Sequence, residues 1–324
     1  MQHTTWDVLI VGGGSAGLSA ALMLGRSRRR VLVVDEGRPR NRFAGHMHGV
    51  LGRDHTSPLD LLAAGRAELA RYDGVDIREG AVTAAAAQAD GFTIALGDGS
   101  EHVARRLLVA SGLRDELPEI PGLAEQWGRG AFLCPYCDGW EARDRRVVVL
   151  ATSEANVHQA QLMRQLTSDV VFLGHGVQLS DAARAGLDAR GIPIDTRRVA
   201  AVIADDDGRL SGIRLEDGAE LAADVIFVGP RPVPNDDVLR ALGAELADHP
   251  PVGRFATVDP MGRTSVPGLW AAGNVVDGRS SVPYAMSAGS MAGAAINADL
   301  VEEEVRDAVR AASAAAGAPE PANA

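Results

Sequence analysis

Cys134-Pro135-Tyr136-Cys137-Asp138 contains the only two cysteines of the chain, two residues apart, with an acid directly after them. Two thiols at this spacing can close a disulfide and reopen it. One thiolate attacks, its partner resolves, and a neighbouring acid or base moves the proton. A purely structural disulfide is a second reading of the same pair. Zinc needs four ligands, usually from two such pairs, and there is no second pair, so no metal is expected. A redox pair needs an electron partner, and the elements that could hold one begin near the N-terminus.

The 324 residues suffice for two domains, and an apolar content of 46% supplies a core. A net charge of −11 argues against nucleic acid or an anionic membrane as main partner. All 32 basic residues are arginine; without lysine, Schiff-base chemistry and a Walker-type phosphate loop are excluded. The chain enters a strand within six residues, so no signal peptide is expected. No apolar run approaches the roughly 20 residues that span a bilayer. A cytoplasmic protein is expected, a setting in which a lone CxxC is more often redox-active than a staple.

Trp6 to Val11 reads as a buried parallel strand and runs into Gly12-Gly13-Gly14-Ser15-Ala16-Gly17, followed by a helical run from Leu18 to Gly25. This is GxGxxG between strand and helix. Gly12 makes the tight turn, Gly14 lets the backbone approach a pyrophosphate, and Gly17 lets helix pack on strand. The phosphates would sit at the helix N-terminus, where N–H groups and the dipole favour anions. A second strand, Val31 to Val34, ends in Asp35, whose carboxylate suits an adenosine ribose and would repel a 2′-phosphate. Leu107 to Gly112 is another buried strand, ending in the small residues Ala110-Ser111-Gly112, an ending that suits a backbone passing close to a ligand. The loop from Gly37 to Asn41 and the pair His46/His48 should lie over the cofactor. The two histidines read equally as solvated loop residues or as groups near the redox centre.

These residues resemble the two-dinucleotide-binding-domain flavoproteins, thioredoxin reductase in particular, over nearly the whole chain. Ala110-Ser111-Gly112 is similar to that family's Ala-Thr-Gly strand end. Thr264 to Asn274, with Gly273-Asn274 at its close, resembles its second FAD motif, in which Asn274 stands where an Asp is usual. The resemblance implies an α/β fold of two Rossmann-like, three-layer ββα domains, the second inserted in the first. Residues 1–116 and 236–312 would form the FAD domain and 117–235 an NAD(P)-type domain carrying the CxxC, with 313–324 a disordered tail. Leu117 to Gly122 and Val228 to Pro234 would be the two linkers. It implies FAD as cofactor, held by Gly12, Gly14, Ser15, Ala16, Gly17, Asp35, Glu36, Asn41, Val82, Ser111, Gly112, Gly273, Asn274, Ser281 and Val282. Ser281 aligns with a Gln that is common near the start of the last helix, whose N-terminus would face the flavin. Cys137 would face the flavin, Cys134 would exchange with substrate, and Asp138 would shuttle protons, with helix capping as a compatible second role. A homodimer is implied likewise.

One region departs from the family. After the strand Arg146 to Leu150, the glycine-rich loop for NADPH is replaced by Ala151-Thr152-Ser153-Glu154-Ala155-Asn156, which has no phosphate-loop glycine and puts an acid at the helix start. The next turn, Gly174-His175-Gly176, lacks the arginines that would hold a 2′-phosphate. The expected activity is therefore FAD-dependent oxidation of a substrate dithiol to a disulfide, with O2 reoxidising the flavin, as in the gliotoxin- and holomycin-type dithiol oxidases. Reduction of a thioredoxin-like protein with NADPH or another donor such as ferredoxin is the alternative enzyme reading. A flavin-bound redox sensor without turnover is the alternative outside enzymes. Asp138 favours the reductases, since the oxidases usually carry His there.

Overall fold

Val8–Val11, Val31–Val34, Leu107–Val109, Val147–Leu150 and Val225–Val228 are continuous apolar runs, and all are buried in this computed structural model. Strands covered on both faces lose their polar alternation, which is why these segments read as unbroken hydrophobic stretches. The structure describes residues 5–250 and 253–316.

In chain order the first elements are β1 (Thr5–Val11), α1 (Ser15–Arg26), β2 (Val31–Asp35), α2 (Pro58–Leu69), β3 (Val75–Glu79), β4 (Val82–Gln88), β5 (Gly91–Leu96), β6 (Glu101–Val109) and β7 (Leu113–Glu116). Then come α3 (Leu123–Gln126), β8 (Ala131–Phe132), α4 (Pro135–Asp138), β9 (Val147–Leu150), α5 (Asn156–Met163), β10 (Val170–Leu173), α6 (Asp181–Ala189) and β11 (Ile194–Asp195). A meander β12 (Val199–Ala204), β13 (Leu210–Leu215), β14 (Glu220–Ala222) leads to β15 (Val225–Val228) and β16 (Arg231–Pro234). The chain returns through α7 (Asp237–Ala241), β17 (Leu246–His249), β18 (Gly253–Ala256), β19 (Leu269–Ala271) and α8 (Val282–Ala316).

The first sheet runs β3-β2-β1-β6 in parallel. The far edge of β6 is shared: β5 pairs antiparallel with Glu101–Ala104, and β19 pairs parallel with Leu107–Val109. The segment after residue 268 thus completes a sheet begun at residue 5. The second sheet, β11-β10-β9-β15-β8, is wholly parallel. Between the two sheets the chain crosses twice, and the crossings pair as the antiparallel ribbon β7–β16.

Three details differ from expectation. Arg231–Pro234 is a strand despite two prolines, because a two-stranded ribbon leaves one edge where no N–H is required. The interior strand β15 stands just before what reads as a linker, where the sequence shows only a short apolar run. α8 continues through Ala316, four residues into the segment expected to be a disordered tail; Ala-rich sequence propagates a helix once packing has started it. The rest of that expectation, residues 317–324, lies outside the described residues.

α8 packs on α1 through small residues. A Cβ on Gly289 would stand 2.0 Å from the Ala16 carbonyl oxygen, and one on Gly293 2.8 Å from that of Ala20. Farther along, Arg105 and Arg106 of β6 reach Asp299, Glu303 and Glu304 of α8, tying the helix to the sheet.

Candidate functional site

The carboxyl ends of β1, β2, β6 and β19 converge on the turn Gly12–Gly17. Gly12 has φ 101°, and a Cβ there would lie 2.4 Å from the Ala110 carbonyl oxygen. A Cβ on Gly17 would lie 1.9 Å from the carbonyl oxygen of Gly12, so helix and turn interlock only as glycines. Gly14 is different: no described residue lies within 4 Å of its Cβ position. That opening leads to the first-turn N–H groups of Ser15, Ala16 and Gly17, which have no intrahelical acceptor. Gly273, at φ 78°, brings the last motif against α1: a Cβ there would stand 3.0 Å from the Ala16 methyl.

Asp35 stands at the same edge. Its Oδ1 accepts from Gly13 N–H at 2.9 Å, and Oδ2 pairs with Arg66 of α2. Each carboxylate oxygen has a second lone pair, so ribose hydroxyls can still donate to it. The Asn274 amide donates from Nδ2 to the carbonyls of Asp277 and Ser280, both at 3.0 Å, which leaves Oδ1 as the acceptor an Asp would have provided. Ser111 spends its hydroxyl on the Asn235 carbonyl at 2.5 Å, while Asn235 returns bonds to Ser111 and Gly112 carbonyls, so these two residues can offer a ligand backbone rather than hydroxyl. Ser281 supplies the carbonyl that starts α8 at Ala285, next to Val282. Asn41 closes its turn by accepting from Ala44, and Val82 packs against the buried cluster that includes Val11 and Val34. Glu36 pairs with neighbouring Arg38 at the surface. The pieces nearest the glycine turn form a cradle that a pyrophosphate and a polyol would fit, and it is in this sense that the residues suit FAD.

Arg40 joins this cradle to the thiols. It makes a two-pronged pair with Asp115, both contacts 2.7 Å, donates to the Gly278 carbonyl at 2.9 Å, and its charge acts on Cys137. Cys134 precedes α4, with Pro135 at the first helical position, and its carbonyl accepts from Cys137 and Asp138 N–H at 3.0 Å. No disulfide joins the two cysteines in this structure. A hydrogen bond from the Cys137 thiol, aided by the N–H groups of Cys137 and Tyr136 and opposed by burial, pulls the Cys134 pKa down to about 7. The same hydrogen bond, burial and the charge on Cys134 push Cys137 far upward. Of the two, Cys134 is the thiol that ionises first, close to neutral pH. Burial, with a smaller contribution from the charge of Glu141, raises Asp138 to about 6, and His48 partly offsets this. A carboxyl tuned there can take or give a proton near neutrality.

Cys137 opens on a cleft of about 500 Å³ lined also by His48, Asp54, His55, Tyr136, Trp140 and Glu141. Tyr136 and Trp140 stand on its rim, 78% and 62% exposed. Glu141 escaped the sequence reading; it lies beyond the end of α4, and the turn that follows, not helical spacing, brings it to the cleft. His55 and Arg40 were equally hard to single out, because a loop brings them in.

The matching turn of the second domain is closed. The side-chain oxygen of Asn156 accepts from the N–H groups of both Thr152 and Ser153 at 2.9 Å, and the Thr152 hydroxyl donates to the Gly229 carbonyl at 2.7 Å. Glu154 turns outward to accept from Ser180 N–H and Oγ, at 3.1 and 2.8 Å. His175 accepts from Val199 N–H at 3.0 Å. An arginine does reach that second turn, contrary to the sequence reading: Arg198 comes from before β12, its guanidinium 2.7 Å from where a Gly176 Cβ would be. Neighbouring Arg197 is consumed by Asp195 and Asp217.

Comparison with known proteins agrees over most of the chain. A family described as pyridine nucleotide-disulphide oxidoreductase matches residues 6–289. Thioredoxin reductase tcpT of Claviceps purpurea (strain 20.1) is 33% identical over 307 residues, covering 92% of this chain and 95% of its own. Thioredoxin reductase sirT of Leptosphaeria maculans is 32% identical, covering 90% and 93%. The crystal structure of HlmI superposes with a TM-score of 0.91 at 44% identity, covering 97% of this chain and 98% of its own.

Proposed function

The chain is an oxidoreductase belonging to the pyridine nucleotide-disulphide oxidoreductase family, and on that premise we propose that it oxidises a substrate dithiol to a disulfide with FAD as cofactor. The observation that carries this direction is the closed turn at Thr152–Asn156: the two N–H groups that would hold a dinucleotide phosphate already donate to Asn156. Gly12, Gly14, Ser15, Ala16, Gly17, Asp35, Gly273 and Asn274 would hold the FAD, which when bound accepts two electrons from the thiol pair and passes them to O2. In the disulfide form of the enzyme, a substrate thiolate attacks the sulfur of Cys134 and Cys137 leaves. The second substrate thiol then attacks the mixed disulfide, and Cys134, the better-stabilised thiolate, is released. Substrate loses two electrons and two protons; the cysteines gain both electrons, and Asp138 relays protons at Cys137. Tyr136 and Trp140 give a small apolar dithiol a surface to lie on.

Reduction of a thioredoxin-like disulfide is the second reading, favoured by the names of the two fungal relatives and by Asp138. By family resemblance we infer a homodimer; no described helix is long and apolar enough to cross a membrane. The deciding measurement is anaerobic flavin absorbance. A small dithiol should bleach the flavin, with peroxide appearing when air returns, while NADPH should leave it yellow. Bleaching by micromolar NADPH would overturn the oxidase reading.

A further inference from the structure

The loop of residues 44–56 folds back on itself. Met47 N–H donates to the Thr56 carbonyl at 2.9 Å, and His55 N–H to the Met47 carbonyl at 3.1 Å. Met47 is buried and anchors the loop, so His46 and His48 on either side of it meet His55 on the returning arm. The three imidazole centroids lie 4.6 to 5.1 Å apart. One ligating atom from each lies within 4.8 Å of the other two. His55 holds φ at 63°, a left-handed conformation that a residue with a side chain keeps only when its surroundings impose it.

His48 carries a second, independent mark. Its Nδ1 is 3.1 Å from Asp54 Oδ1, while Nε2 is buried with no hydrogen-bond partner among the described residues. A carboxylate on one ring nitrogen and a free second nitrogen is how metal-ligating histidines are oriented. Glu141 Oε1 stands 3.5 Å from that Nε2, and Glu141 Oε2 is likewise buried and unpartnered.

We propose that His46, His48 and His55 form a site for a divalent transition-metal cation of the zinc class, with Glu141 as the fourth donor, at the mouth of the thiol cleft. Imidazole donors suit zinc, nickel or copper and not magnesium or calcium. Tetrahedral zinc needs neighbouring donors about 3.3 Å apart, which the His48–Glu141 pair nearly meets. The other imidazoles close in with a loop shift of about 1 Å, and no described residue lies within 4 Å of the Cβ positions of Gly45, Gly49 and Gly52. Since His48, His55 and Cys137 line one cleft, the cation sits beside the thiols.

The test uses flavin-loaded protein stripped with a chelator and titrated with Co2+, followed by its visible ligand-field bands and by calorimetry with Zn2+. One equivalent should bind in a tetrahedral setting. His46→Gln and His55→Gln should each weaken binding at least tenfold, with flavin absorbance reporting that the variants are folded, while the Cys134→Ser/Cys137→Ser double variant should still bind one equivalent. Retained binding in the histidine variants, or none to wild type at millimolar Co2+, overturns the site. On wild-type protein alone, saturating Zn2+ should protect the three histidines from diethyl pyrocarbonate; equal modification with and without the cation overturns it as well.

Discussion

The turn from β1 to α1 and the turn from β9 to α5 hold the same place in their two domains, and they are built in opposite ways. The first is packed tight beneath, at Gly12 and Gly17, and open above, at Gly14. The second has no glycine, and Asn156 occupies its N–H groups from within the chain. A Rossmann-type turn is therefore a scaffold with a choice. Its helix-start donors can be left for a phosphate or satisfied by a side chain, and the fold is stable either way.

The largest break of this contrast should come from Gly17→Val, whose side chain has no room beside the Gly12 carbonyl: the protein should be recovered colourless or insoluble, judged by the 450 nm absorbance. Cys137→Ser separates the domains. It should keep its flavin yet lose dithiol-driven bleaching by about 10³-fold or more, measured by anaerobic stopped flow; a wild-type rate would remove the pair from the chemistry. Asp138→Asn should slow the same reaction by about 10²-fold, the range of general acid–base catalysis. Asn156→Ala reopens the second turn at a cost of about 1–3 kcal/mol from two N–H groups left without their acceptor. A urea midpoint unchanged from wild type would contradict the closure. The smallest effect is electrostatic. Because Cys134 is lowered to about 7, its thiolate predominates above that pH, and alkylation by iodoacetamide should rise with pH to a midpoint near 7. Cys137→Ala removes the group that donates to it, so the midpoint should move up toward that of an ordinary cysteine, about 8.5.

The contrast was half legible in the sequence. Glycine spacing after a buried strand located the first turn, because only glycine tolerates those contacts. The missing glycines located the departure in the second turn, but not its cause: that Asn156 folds back onto residues 152 and 153 is a matter of side-chain direction, which spacing does not carry. Cys134, Cys137 and Asp138 were visible as chemistry on a continuous stretch. Arg40, His55 and Glu141 were not, since the loops after β2 and α4 set their positions. Arg198 was missed for the same reason, and the ribbon β7–β16 because its prolines argue locally against a strand. Asp35 was found by its distance from Gly17, whereas its partners, Gly13 and Arg66, were not.

The sharing of β6 between β5 and β19 sets an order of assembly. During synthesis, the inserted segment emerges whole while the first sheet still lacks β19 and α1 lacks the helix that Gly289 and Gly293 press against it. Domains form as units in the order they leave the ribosome, so the thiols should be in place before the cradle can close. A ribosome-bound chain stalled before Leu269 should hold no flavin. For a time each new molecule is a dithiol protein without a cofactor, and it becomes a flavoprotein only when its last helix arrives.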